Sequence, residues 1–204
     1  MDKEILCVRC QQQLPKTNFH LHQENEFTHR FWGRLELFAG ASLFRFTKKG
    51  KVQHLIHELK YKGKTNVGVE LGIYYGHQLL ESPLFRDIDC IVPVPLHPRK
   101  LHKRGFNQSD LFAKGLSQSM GIPHYPDGLK RRVYTETQTK KSRAERLANV
   151  LDAFEVYKPG RMQGKHILLV DDVITTGATL EACGVKLLEI PGVKLSMATI
   201  VFAT

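Results

Sequence analysis

The chain has 204 residues, 42% of them hydrophobic, and a formal net charge of +10. That is enough for one sizeable packed domain with a small appendage, and no apolar run approaches the roughly 20 residues of a membrane-spanning helix. The opening "MDKEILCVRC" lacks the apolar core of a signal peptide, and scattered Cys7, Cys10, Cys90 and Cys183 do not make a disulfide framework, so a cytoplasmic protein with no membrane insertion is expected.

Residues 1–34 are polar, His-rich and without clear periodicity, and read as a small loop-rich appendage; residues 35–204 read as one α/β domain. "LFAGASLFRF" (37–46) has the character of a strand. In "KVQHLIHELKYKG", Val52, Leu55, Ile56 and Leu59 fall at i, i+3, i+4 and i+7, a helical stripe that stops at Gly63. "VGVELGIYYGHQLL" is a second helix, its pattern weakened by three glycines. "DCIVPVPL" is a short apolar strand that leaves its sheet at Pro93 and Pro95. "NQSDLFAKGLSQSMG" is a helix with a polar start and a stop at Gly121. "TQTKK" is a polar loop that leads into "SRAERLANVLDAF", where Ser142 and Glu145 match a capping box. "HILLVDD", "GATLEACGVKLLEI" and "KLSMATIVFA" then form strand, helix and strand, a βαβ unit with parallel strands.

The basic residues are clustered: Lys60, Lys62 and Lys64; Arg99, Lys100, Lys103 and Arg104; Lys130, Arg131 and Arg132; Lys140, Lys141, Arg143 and Arg146. One such cluster is an ordinary solvated face. Several in one domain point to a polyanion, either a phosphorylated small molecule or a nucleic acid.

The chemistry concentrates in "LLVDDVITTGATL" (168–180). Ile167 to Val170 are apolar on both faces, as a central parallel strand requires. Ligands of such sheets sit beyond the carboxyl ends of the strands, where Asp171 and Asp172 stand. Thr175, Thr176, Gly177, Ala178 and Thr179 lead into a helix, whose unpaired N–H groups and partial positive charge suit a phosphate. Two adjacent carboxylates suit a vicinal diol, directly or through hydrated Mg²⁺. One short segment thus offers a grip on both ends of a sugar 5-phosphate. It is not a P-loop, since the G-x-x-x-x-G-K pattern is missing.

This stretch resembles the 5-phosphoribosyl 1-pyrophosphate (PRPP) signature of type I phosphoribosyltransferases. Together with "LKYKG" (59–63), "VPVPLHPRKLHKRGFNQS" (92–109) and "LKRRVYTETQTKKSRAERLANVLDAF" (129–154), the chain resembles the ComF/GntX family of phosphoribosyltransferase-like proteins. The resemblance implies a Rossmann-like, mostly parallel sheet flanked by helices, a zinc-finger-like N-terminal appendage and a flexible hood loop. It implies that Asp171 and Asp172 hold the ribose hydroxyls and Mg²⁺, and that Thr175 to Thr179 hold the 5-phosphate. Pyrophosphate would lie at Pro95, with Arg99, Lys100 and Arg104 as its cations. The hood would run from Arg131 to Lys141, with Arg131, Thr135, Gln138, Arg143, Arg146 and Asn149 matching the family pattern. The implied activity is transfer of ribose 5-phosphate from PRPP to an acceptor, with release of pyrophosphate. Purine-salvage members carry a carboxylate where Thr175 stands, which puts purine-base transfer in doubt. No other residue identifies itself as a general base; His97 and His102 lie near by, each expected to be a structural or surface histidine.

In the appendage, "CVRC" is a single C-x-x-C. Cys7 and Cys10 with His20 and His22 would complete a structural zinc site, the alternative being a metal-free remnant. Phe31 and Trp32 are expected to pack the appendage onto the domain. Two rivals to the enzyme stand beside it: a competence accessory that binds single-stranded DNA or proteins of the uptake machinery, and a regulator that senses PRPP without turnover. A single-strand binder interleaves aromatics with its cations, and within the basic clusters the sequence shows only Phe106 and Tyr134, with Tyr61 on its helix.

Overall fold

A four-stranded parallel sheet forms the centre of the chain in the computed structural model, which describes residues 13–48, 50–61, 65–131 and 153–203. The strands are β1 (Ala39–Arg45), β2 (Cys90–Pro93), β3 (Leu129–Arg131), β4 (Phe154–Val156), β5 (His166–Ile174) and β6 (Lys194–Phe202). The central sheet has the order β1-β6-β5-β2, and β3 with β4 makes a separate antiparallel pair. The helices are α1 (Glu26–His29), α2 (Lys51–Tyr61), α3 (Thr65–Glu81), α4 (Pro98–Arg104), α5 (Gln108–Met120) and α6 (Ala178–Leu188). Among the described residues, no helix is long and apolar enough to cross a membrane.

β5 is central because its side chains allow it to be. Ile167, Leu168, Leu169 and Val170 are all 0% exposed, so both faces are covered. On one side β5 pairs with β2 as far as Pro93↔Val170, and Val94 N–H donates to Val170 O at 2.8 Å. There the ladder stops, because the next rung is taken up by side chains: Val94 O accepts from Asn107 Nδ2 and Asp172 N–H donates to Asp171 Oδ1. On the other side it stays paired with β6 through Ile174↔Phe202. The strand therefore runs two residues beyond the sequence-based end at Asp172.

The three glycines that weakened the helical pattern of α3 have a packing role. Gly68, Gly72 and Gly76 recur every fourth residue on the face toward α5, where they lie against Leu111, Gly115 and Ser119 in turn. A Cβ on Gly72 would lie 2.8 Å from Gly115 Cα, and one on Gly115 would lie 2.9 Å from Gly72 Cα and press on the Val69 carbonyl oxygen. The two helices thus cross backbone to backbone. α5 itself starts and stops as its sequence dictates: Asn107 Oδ1 accepts from Ser109 N–H at 3.2 Å, and Gly121 closes the helix at φ 69°.

Residues 13–38 share the core of the sheet. Asn25 caps α1 and its Nδ2 donates to Gly40 O at 2.9 Å, while Phe19 and Phe27 both pack on Phe202. Phe31 is fully buried as expected, but Trp32 is 60% exposed and packs at a tilt against His29 with ring centroids 4.0 Å apart. The Trp32 expectation fails because the turn that buries Phe31 directs its neighbour outward.

α4 was not foreseen, because "PRKLHKR" carries only one apolar residue, Leu101, and so has no stripe. Its signals are local: His97 Nδ1 accepts from Arg99 N–H at 3.2 Å, and Pro98 opens the helix. Phe154, read as the end of a helix, instead begins β4. The capping box at Ser142 and Glu145, and the rest of the expected hood, lie outside the described residues.

Candidate functional site

The site lies where the sheet reverses its winding. From β2 the chain crosses through α5 to residues 123–125, which lie parallel beside β2, with Ile91 N–H donating to Pro123 O at 3.0 Å and Tyr125 N–H donating to Ile91 O at 2.8 Å. From β5 it crosses through α6 to β6, in the opposite direction. Right-handed crossovers in opposite directions put their helices on opposite faces, so a crevice opens between the carboxyl ends of β2 and β5. Asp171 and Asp172 stand on the β5 side of that crevice, both half-buried, and Pro95 follows the Val94–Val170 bond on the β2 side.

After Ile174 the chain turns through Thr175 and Thr176, both exposed, and enters α6 from Gly177. Gly177 takes φ 82°, which a residue with a Cβ adopts only under strain, and that Cβ would also meet the Phe31 ring at 3.1 Å. Thr176 Oγ1 accepts from Ala178 N–H at a long 3.4 Å, and no side chain caps the helix from Gly177. The turn and the first residues of α6, with Asp171, line a small concavity: Asp171, Val173, Ile174, Thr175 to Leu180. Its amides and hydroxyls are donors, which fits an anion.

The sequence reading missed the contribution of α5. Ser109 Oγ donates to Asp171 Oδ1 at 2.7 Å, and Asp172 N–H donates to the same oxygen at 2.8 Å. Asn107, besides capping α5, donates from Nδ2 to Val94 O at 3.0 Å and so ties the helix start to the end of β2. Arg104 Nη1 donates to Gln108 Oε1 at 3.0 Å. The "RGFNQS" run, distinctive as a motif, is thus a brace that joins β2, α5 and the first acid; motif recognition located it but gave a role to Arg104 alone.

Arg99 and Lys100 project from the exposed first turn of α4, and His102 is exposed in its last turn. Arg131 ends β3 with its guanidinium 5.3 Å from the Phe154 ring centre. Burial pushes the Cys183 thiol well up, reinforced by the charge of Asp171 and opposed by that of Arg131. Burial likewise pushes the Cys90 thiol up to about 11. Both are inert core thiols, not nucleophiles. Gln138 and Arg143 lie outside the described residues, as do Cys7 and Cys10. His20 is buried edge-on against Tyr75, its Nδ1 without a hydrogen-bond partner, while His22 is exposed. No group of three or more metal-ligating side chains comes together among the described residues.

A second cluster lies away from the acids. Lys130 Nζ stands 3.5 Å and Lys158 Nζ 5.0 Å from the Tyr157 ring centre. Lys165 Nζ lies 5.6 Å from the Tyr125 ring centre and donates to its hydroxyl at 3.3 Å. Tyr125, Tyr157, Lys158 and Arg161 line one cleft. Aromatics and cations that are far apart in the sequence are therefore interleaved on the surface.

Residues 107–204 match the model of the phosphoribosyl transferase domain. The DNA utilization protein YhgH of Escherichia coli is 35% identical over 129 residues, which make up 62% of this chain and 56% of that protein. Competence protein F of Haemophilus influenzae is 38% identical over 107 residues, 52% of this chain and 46% of that protein. Competence protein ComFC of Bacillus subtilis is 38% identical over 101 residues, 48% of this chain and 38% of that protein. The chain spans about half the length of the curated relatives it matches. Among solved structures, adenine phosphoribosyltransferase from Saccharomyces cerevisiae is similar with a TM-score of 0.46 and 19% identity, over 68% of this chain and 69% of that one. The glutamine PRPP amidotransferase of Bacillus subtilis is similar with a TM-score of 0.46 and 22% identity, over 69% of this chain and 30% of that one. On the domain match over residues 107–204, the relatives and the acid-then-Thr/Gly signature together, the chain is similar to the ComF-type, phosphoribosyltransferase-like proteins.

Proposed function

We propose that the protein binds PRPP with Mg²⁺ and transfers its ribose 5-phosphate to an acceptor, in the service of DNA uptake. The observation that carries this is the fixed pair of acids: Asp171 is held by Ser109 and by the Asp172 amide, directly before the donor-rich turn at 175–179. Thr175 to Thr179 bind the 5-phosphate through their amides and hydroxyls, and the acids bind the ribose diol. Two neighbouring, half-buried carboxylates fit a hard cation that keeps most of its waters, and such a cation offsets the charge of the donor. Pyrophosphate leaves on the side of Pro95, with Arg99, Lys100 and Arg104 as nearby positive charge; Arg131 and, outside the described residues, Gln138 and Arg143 match the family's hood pattern and are candidates for further charge and hydrogen bonds to it. In the reaction, the C1–O bond to pyrophosphate breaks, a bond from C1 to the acceptor's nucleophilic atom forms, and the acceptor's proton passes to solvent or pyrophosphate. The protein's part is to place the reactants and to stabilise charge on the leaving group. PRPP with Mg²⁺ should raise the melting temperature of the protein; an unchanged transition at millimolar PRPP would count against this function. Ser109→Ala should weaken PRPP binding by about tenfold, the scale of one hydrogen bond to a charged group. Titration calorimetry reads that change, and unaltered affinity would remove Ser109 from the site.

Zinc at Cys7, Cys10, His20 and His22 belongs to the same proposal. The buried, unpartnered Nδ1 of His20 is the observation that suits it, since a metal would satisfy that nitrogen. Metal analysis of the purified protein decides it, an empty result with intact folding ruling the site out.

A second function is favoured by the cluster around Tyr157. Interleaved rings and cations suit single-stranded DNA, the rings stacking on bases and the cations meeting phosphates. Tyr157→Ala combined with Tyr125→Ala should weaken binding of a labelled oligothymidylate by roughly tenfold or more, at about 1–3 kcal/mol per stacked base. Equal affinity for both proteins, in a fluorescence titration at fixed salt, would leave the cluster a solvated surface.

A further inference from the structure

We propose that the Arg34–Glu181 ion pair sets the charge beneath the phosphate loop, which makes Arg34 a positioning residue for the 5-phosphate; this rests on the PRPP function proposed above. Glu181 lies in the first turn of α6 and is 8% exposed. A carboxylate there is favourable to an empty helix N-terminus. A phosphate needs the same amides and the same partial positive charge, so an uncompensated Glu181 competes with the ligand. Arg34 removes that competition. Its Nε donates to Glu181 Oε1 at 3.2 Å, and its Nη2 closes the fork on Oε2.

The chain just before Arg34 holds the fork under the loop. Arg30 Nη2 donates to Ala203 O at 3.0 Å, at the carboxyl end of β6, and Arg34 Nη1 donates to Arg30 O at 2.9 Å. Between them, the buried Phe31 ring lies against Gly177, the residue from which α6 starts. Residues 30–34, read from the sequence as the end of a separate appendage, form the floor of the phosphate loop. Arg34 acts on the loop through Glu181.

The test is calorimetric titration with ribose 5-phosphate at low salt, for the unaltered protein, Arg34→Ala, Glu181→Gln and the double variant. Arg34→Ala is expected to bind about five- to tenfold more weakly, the scale of a carboxylate acting on a phosphate dianion from one or two helical turns away in a water-like medium. The double variant, which restores a net charge of zero, is expected to bind as the unaltered protein does, and Arg34→Lys, which keeps the charge, to retain affinity; Glu181→Gln leaves the Arg34 charge uncompensated and is expected to bind a few-fold more tightly. A merely structural Arg34 would lower the melting temperature without this rescue. Equal affinity of Arg34→Ala and the unaltered protein would overturn the inference, as would a double variant as weak as Arg34→Ala. If the unaltered protein binds no ribose 5-phosphate, the PRPP function falls first and this inference with it.

Discussion

Asp171→Asn combined with Asp172→Asn is expected to abolish the rise in melting temperature that PRPP with Mg²⁺ gives the unaltered protein. A ligand at about one hundred times its dissociation constant stabilises by about 2.7 kcal/mol. In a domain of this size that is a rise of roughly 5–10 °C, at about 2–4 °C per kcal/mol. Asparagine has nearly the same shape as aspartate, and its Oδ1 can still accept from Ser109 and from the following amide. The substitution therefore removes charge while leaving the brace in place, and the free protein should melt close to the unaltered one. Both charges matter: a diol and a hydrated cation are recognised by full carboxylates, whereas amides bind a hard cation weakly. A persisting shift would place PRPP elsewhere on the molecule.

Gly115→Ala is expected to lower the melting temperature by several degrees and to weaken PRPP binding as well. Helix propensity alone predicts the opposite, a gain of roughly 1 kcal/mol. The added Cβ, however, would meet the Val69 carbonyl oxygen and stand 2.9 Å from Gly72 Cα, both of them backbone atoms that cannot swing aside. Overpacking of this kind costs about 1–3 kcal/mol or more. α3 would have to retreat from α5, whose first turn holds Ser109 against Asp171. The sign of the change in a thermal melt decides the point, since a stabilised Gly115→Ala protein would mean that the helices do not cross backbone to backbone.

What could be read from the sequence was what is written contiguously. The buried run Ile167 to Val170, the two acids and the Thr/Gly turn follow one another within a strand, a turn and a helix, so their order in the chain is their order in space. α5 announced itself through its cap at Asn107 and its stop at Gly121. The relations between distant segments were not legible. Nothing in the run from Asn107 to Asp110 says that Ser109 will meet Asp171, 62 residues away. The cluster of Tyr125, Tyr157, Lys130 and Lys165 escaped for the same reason, each residue looking isolated until the chain brings them onto one surface. α4 was missed because a helix of seven residues with a single apolar side chain has no period to detect. The end of β5 was set short because two aspartates look like the exit from a strand, while pairing with β6 carries the ladder on to Ile174.

The most direct measurement is a crystal structure of the protein with PRPP and Mg²⁺. The account predicts density for the 5-phosphate within hydrogen-bond distance of the amides of Thr175 to Thr179, and for the ribose diol beside Asp171 and Asp172. Density for PRPP at any other place, or none at saturating concentration, would contradict it.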